Sequence, residues 1–123
     1  MYQHALLILE QRGGSDRFYL ANALENSGVL YLVQGKYEQA EPLFMRALAI
    51  QEQQLGLYHP EVAQTLHDLA ILRQKQGNLS EALSLAQRAL SIRSRSLGDA
   101  HHKTIATREL YAQLCQEQAC IQE

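Results

Sequence analysis

Apolar or small residues recur three and four places apart along most of this chain, as in Leu20, Leu24, Gly28 and Tyr31, and again in Ala40, Leu43, Ala47 and Ile50. That spacing places them on one face of an α-helix, and no stretch alternates with the period of two that a strand would show. The pattern is interrupted at Gly13-Gly14, Gly35, Gly56 to Pro60, Gly77-Asn78 and Gly98 to His102. These breaks predict helices over Met1 to Arg12, Asp16 to Gln34, Tyr37 to Leu55, Pro60 to Gln76, Leu79 to Leu97 and Lys103 to Gln118. Pro60 suits a first turn, where a missing N–H costs nothing, and Gly35, Gly77 and Gly98 suit the positive φ that ends a helix. Pro42 falls after the first turn of its segment and is expected to remove one backbone hydrogen bond or bend the helix.

The segments repeat. Gly35-Lys36-Tyr37-Glu38-Gln39-Ala40 returns as Gly77-Asn78-Leu79-Ser80-Glu81-Ala82, Ala47-Leu48-x-Ile50 as Ala89-Leu90-x-Ile92, and Leu55-Gly56 as Leu97-Gly98. The same offset joins His59 to His101 and Thr65 to Thr107, and runs backwards from Ala47-Leu48 to Ala5-Leu6. Self-similarity at a fixed period means stacked supersecondary units, which build surfaces more often than catalytic pockets. Short glycine turns make neighbouring helices antiparallel, and Gly28, Ala40, Ala47, Ala70, Ala82 and Ala89 let their axes approach closely. Leu24, Tyr31, Tyr37, Leu43, Phe44 and Leu48 in one unit, and Leu66, Leu69, Leu79, Leu85 and Leu90 in the next, are the expected core. The fold class is therefore all-α, with about six antiparallel helices in one array.

Composition changes this picture little. Of 123 residues, 46% are hydrophobic and 20% charged, the balance of a folded chain, and the net charge is -2. Lys and Arg are scattered, with no basic stripe interleaved with aromatics, which argues against nucleic acid as partner. The longest apolar run, Ala5 to Leu9, is far too short for a membrane span and lacks the flanks of a signal peptide, so a cytoplasmic location is expected. Cys115 and Cys120 lie on different faces of one segment and read as reduced thiols.

Candidate chemistry is sparse. His4, His59, His67, His101 and His102 have no third ligand at helical spacing, so no metal is expected. His59 and His101 recur just before a helix, which suggests capping or turn packing. Ser15, Ser80, Ser84 and Thr104 have no matched base, and Gly13-Gly14-Ser15-Asp16 is too short for a phosphate cradle and lacks its lysine. No cofactor and no enzymatic activity are expected.

Leu24-x2-Ser27-Gly28-x2-Tyr31, Gly35-x-Tyr37, Ala40-x3-Phe44 and Ala47 resemble the tetratricopeptide repeat signature. The second unit follows through Leu66-x2-Leu69-Ala70, Gly77-x-Leu79, Ala82 and Ala89, with Arg73 and Ala86 in place of aromatics. The longer period, with Lys36 to Leu43, Arg46-Ala47-Leu48 and His59-Pro60-Glu61-Val62-Ala63-x-Thr65-Leu66, is similar to the kinesin light chain subtype. The resemblance implies an α–α superhelix with full repeats over 16–55 and 60–97, flanked by partial repeats over 1–12 and 103–118. Both ends would then lack a partner helix, as in a segment of a longer array or a self-associating piece.

The resemblance also implies that the first helix of each pair lines a concave, peptide-binding side. The matching positions are Asn22, Glu25, Asn26, Val29 and Val33, then Gln64, His67, Asp68, Ile71 and Lys75, then Ala106, Glu109, Leu110 and Gln113. Asn26 matches an asparagine that bonds peptide backbone in the family, a role an amide suits because it both donates and accepts. The units that should repeat it carry Asp68 and Leu110, and the basic residues of a carboxylate clamp are absent. A protein or peptide ligand that is neutral or basic and partly apolar is the expected partner.

Overall fold

The structure, a computed structural model, describes residues 16–122. Five α-helices occupy these residues: α1 (Asp16–Val33), α2 (Tyr37–Leu55), α3 (Pro60–Lys75), α4 (Leu79–Leu97) and α5 (His102–Gln122). The expected helix over Met1 to Arg12 lies outside the described residues. The chain divides into two compact units, one ending at Leu57 and the other beginning at Tyr58.

Glycine closes two of these helices by the same device. Gly35 and Gly77 take φ of 79° and 84°, a left-handed conformation that a Cβ would strain. Around them Lys36 N–H donates to Tyr31 O at 2.8 Å and Gly35 N–H to Leu32 O at 3.0 Å, matched by Asn78 to Arg73 at 2.8 Å and Gly77 to Gln74 at 3.0 Å. This paired arrangement satisfies carbonyls that a helix end leaves open. Pro42 does not delay α2, which begins at Tyr37 and runs through it.

In the first unit α1 and α2 pack antiparallel. Glu25, midway along α1, meets Gln51, near the end of α2, while Gly28, further along α1, faces Phe44, earlier in α2. A Cβ on Gly28 would sit 2.8 Å from Cε1 of the fully buried Phe44 ring, so glycine here is a condition of close approach. Leu20, Ala21, Leu24, Ala47 and Ile50 form a buried cluster, with Leu43 packed against it.

The second unit holds three helices. α3 and α4 pair as α1 and α2 do, and α5 returns antiparallel to α4, its start tied to Arg93 and its far end reaching Ser80. α5 therefore runs parallel to α3, joined to it by His67 with Thr107 and by Gln74 with Glu117. Ala70, Ala82, Ala86, Leu110 and Leu114 make the buried cluster, flanked by Ile71, Leu79, Leu83, Leu85 and Tyr111. Of the expected core, Leu24, Phe44, Leu48, Leu66 and Leu69 are buried, whereas Tyr31, Tyr37, Leu43, Leu79, Leu85 and Leu90 are half-buried. α5 extends beyond the expected end at Gln118 because no glycine or proline follows His102 to stop it.

Candidate functional site

The stripes expected on α1, α3 and α5 follow from helical spacing, and the structure assigns each residue its exposure. On α1, Asn26 and Val33 are exposed, Asn22 and Val29 half-buried, and Glu25 buried. On α3, Lys75 is exposed, Gln64, His67 and Ile71 are half-buried, and Asp68 is buried. On α5, Ala106, Glu109 and Gln113 are exposed, while Leu110 is buried. The second unit brings the α3 and α5 stripes together.

Two acidic groups of these stripes are held inside the protein. Glu25 accepts a hydrogen bond from Gln51 Nε2 at 3.3 Å, and both carboxylate oxygens of Asp68 accept from Gln64 Nε2, at 3.4 and 3.3 Å. A buried carboxylate must be compensated in this way. The outward charge of the stripes therefore rests on Lys75 and Glu109.

Arg93, from the second helix of its pair, is the residue that sequence reasoning missed. Only 3% of it is exposed, and it reaches both stripes of its unit. Its Nη1 donates to Thr107 Oγ1 at 2.8 Å and Lys103 O at 3.2 Å, and its Nη2 donates to Gln64 Oε1 at 2.7 Å. Gln64 thus bridges a cation and an anion, accepting from Arg93 with its oxygen and donating to Asp68 with its nitrogen. Charge-assisted bonds of this kind are the strong ones. One signal was available: Gln51 stands at the position of Arg93 one repeat earlier, beside Ile50 as Arg93 stands beside Ile92, and it too is buried and polar.

His67 closes the network. Its Nδ1 lies 3.1 Å from Thr107 Oγ1, which already accepts from Arg93. Burial of the ring, reinforced by the Arg93 charge, lowers its pKa to about 4, so the imidazole is neutral at physiological pH. A neutral ring can accept the Thr107 hydroxyl proton at Nδ1 or donate to that oxygen, because Thr107 can alternatively donate to Lys103 O at 3.1 Å. The result is a dense, largely buried hydrogen-bond network that ties α3, α4 and α5 together.

His59 and His101 do cap helices. His59 Nδ1 accepts from Glu61 N–H, and His101 Nδ1 from Lys103 N–H, each at 3.1 Å. Among the described residues, no group of three or more His, Cys, Asp or Glu side chains is placed to hold a metal ion. No described helix is long and apolar enough to cross a membrane.

A family model described as tetratricopeptide repeat matches residues 1–53, 19–95 and 61–120. No curated protein matches the sequence. Among solved structures, BtubC (BKLC) from P. vanneervenii is similar, with a TM-score of 0.82 and 21% identity over 98% of this chain and 48% of that one. A putative kinesin light chain with nearly identical TPR-like repeats from Podosopora anserina gives a TM-score of 0.75 and 23% identity, over 98% of this chain and 57% of that one. The chain spans about half the length of these structures. Their likeness assigns it the all-α fold of tetratricopeptide-like superhelical arrays.

Proposed function

This chain belongs to the tetratricopeptide repeat family, and from that premise we propose that it binds a peptide or partner helix through its first-helix faces, that of α1 in the first unit and those of α3 and α5 in the second. Repeats of this family are protein–protein interaction modules, and their scaffold is not a catalytic one. The observation that carries the reading is the pair of amides on α1. Asn22 and Asn26 lie one turn apart, Asn26 is exposed, and neither side chain is engaged by another group among the described residues. Free amides in that arrangement can donate to and accept from a ligand backbone. Val29 and Val33 continue the stripe and offer apolar contact.

Because Glu25 and Asp68 are satisfied internally, the fitting ligand is neutral and partly apolar, with any preference for basic residues resting on Glu109. A scaffold of this kind operates in the cytoplasm, where the thiol of Cys115 would stay reduced. Asn26→Ala tests the reading. It should weaken capture of a selected peptide while leaving helicity and melting temperature unchanged, and unchanged capture would refute it.

One observation favours a second reading, self-association. Ala63, Leu66 and Ala70 of α3 are buried, but their repeat counterparts on α5, Ile105, Arg108 and Ala112, are exposed. A concentration-dependent sedimentation coefficient that Ile105→Glu abolishes would support association through this face. A single monomeric species across the same range would exclude it.

A further inference from the structure

The N-terminus of α5 is held by an acceptor that a proton can remove. His101 Nδ1 accepts from Lys103 N–H at 3.1 Å, the bond that Ser, Thr, Asp or Asn usually supplies to a helix start. A carboxylate or hydroxyl cap keeps its acceptor at every neutral or mildly acid pH. An imidazole does not: once Nδ1 carries a proton it becomes a donor and faces another donor.

The surroundings sharpen the choice between the two states. The His101 ring stacks on His102 with centroids 4.4 Å apart. Both line a cavity of about 340 Å³ together with Lys103 from α5, Arg93 from α4 and Glu61 from α3. Asp99, in the preceding turn, is engaged by Ser94 and Arg108. Three groups around His101 are thus cationic or can become so, and Glu61 is the carboxylate that shares the cavity. Partial burial of the ring, followed by the charges of His102, Lys103 and Arg93, holds the His101 pKa below its ordinary value. The cap is therefore intact at neutral pH and is lost only as the pH falls below the ordinary titration range of a histidine.

We propose that His101 is a proton-operated cap: neutral, it holds the first turn of α5 through Lys103 N–H; protonated, it releases that amide and turns across the cavity to Glu61 on α3. The cavity gives the ring room to move, and the two positions exchange a hydrogen bond within α5 for an ion pair between α5 and α3. Lys103 O is also an acceptor for Arg93, so release of this turn bears on the network that positions Gln64 and Thr107. Acid would then loosen the start of α5 without unfolding the helix. The inference concerns the fold alone and stands whether or not the stripes bind a peptide.

NMR titration of the intact chain decides it. At neutral pH the imidazole nitrogens of His101 should report the Nε2–H tautomer, and the Lys103 amide shift should titrate with the midpoint of the His101 ring. His101→Asn, which retains an acceptor that cannot be protonated, should abolish the Lys103 titration. His102→Asn should leave it in place. Glu61→Gln should lower the His101 midpoint by removing the counter-charge. A Lys103 amide that stays flat through the His101 transition, an Nδ1–H tautomer, or loss of the titration in His102→Asn would overturn the cap. An unmoved midpoint in Glu61→Gln would overturn the second position of the ring.

Discussion

Thr107 stands between His67 and the Arg93 guanidinium, and that placement sets a pH signature. The imidazole of His67 has a folded pKa of about 4 against an ordinary 6.5. The unfolded chain therefore binds a proton more readily than the folded one between those values, and the contribution of His67 to stability is complete above about 6.5 and lost as the pH falls towards 4. Thermal melts from pH 7.5 to 4 should show His67→Gln declining less steeply than the parent, and parallel curves would contradict the assignment. Gly28 makes a steric prediction. Its Cβ would enter the Phe44 ring, so Gly28→Ala should cost about 1–3 kcal/mol despite the better helix propensity of alanine. A rise in melting temperature would show that the ring moves aside freely. Individual charges were the least legible feature of the sequence. Glu25 and Asp68 read as groups on an open face, yet Gln51 from the neighbouring helix and Gln64 from one turn back on α3 hold them inside, and helical spacing alone does not show which positions of a stripe are covered.

At the level of elements the sequence was far more transparent, because glycine and proline punctuate a helical period. α2 and α4 have the expected bounds, and α1 and α3 end one residue early. Only α5, with no breaker after it, ran past its expected end. Pro42 occupies an exposed place inside α2, where it removes one backbone donor without interrupting the helix. Pro42→Ala should therefore stabilise the first unit, by about 1 kcal/mol or more, as a higher urea midpoint would show. Arg93 was hidden because a charged residue defaults to the surface in any periodic reading, and its burial arises from three helices converging on it. Removing it leaves Gln64, Thr107 and Lys103 O short of a donor, so Arg93→Ala should cost about 2–4 kcal/mol. Arg93→Gln, the side chain present at position 51, should cost less than half of that. Equal losses for the two variants would mean that packing, not donation, is what Arg93 supplies.

For the molecule as a whole, the repeat carried the fold and the fold carried the class of function. The offset that relates Gly35 to Gly77 also relates Asn22 to Gln64 and Ala106, and Asn26 to Asp68 and Leu110. The repeated frame thus presents a different side chain at each equivalent point. Variation of that kind within a constant scaffold is how an array builds recognition from a structural unit. The central claim is that α1, α3 and α5 recognise through these stripes, and chemical-shift mapping tests it most directly. A peptide selected against the intact chain from a random library should perturb the amides around Asn22, Asn26 and Val29 of the first unit, and the double variant Asn22→Ala, Asn26→Ala should bind it at least about tenfold more weakly, a difference of about 1.4 kcal/mol. Perturbations gathered instead on the outward faces of α2 and α4, with undiminished affinity in the double variant, would contradict it.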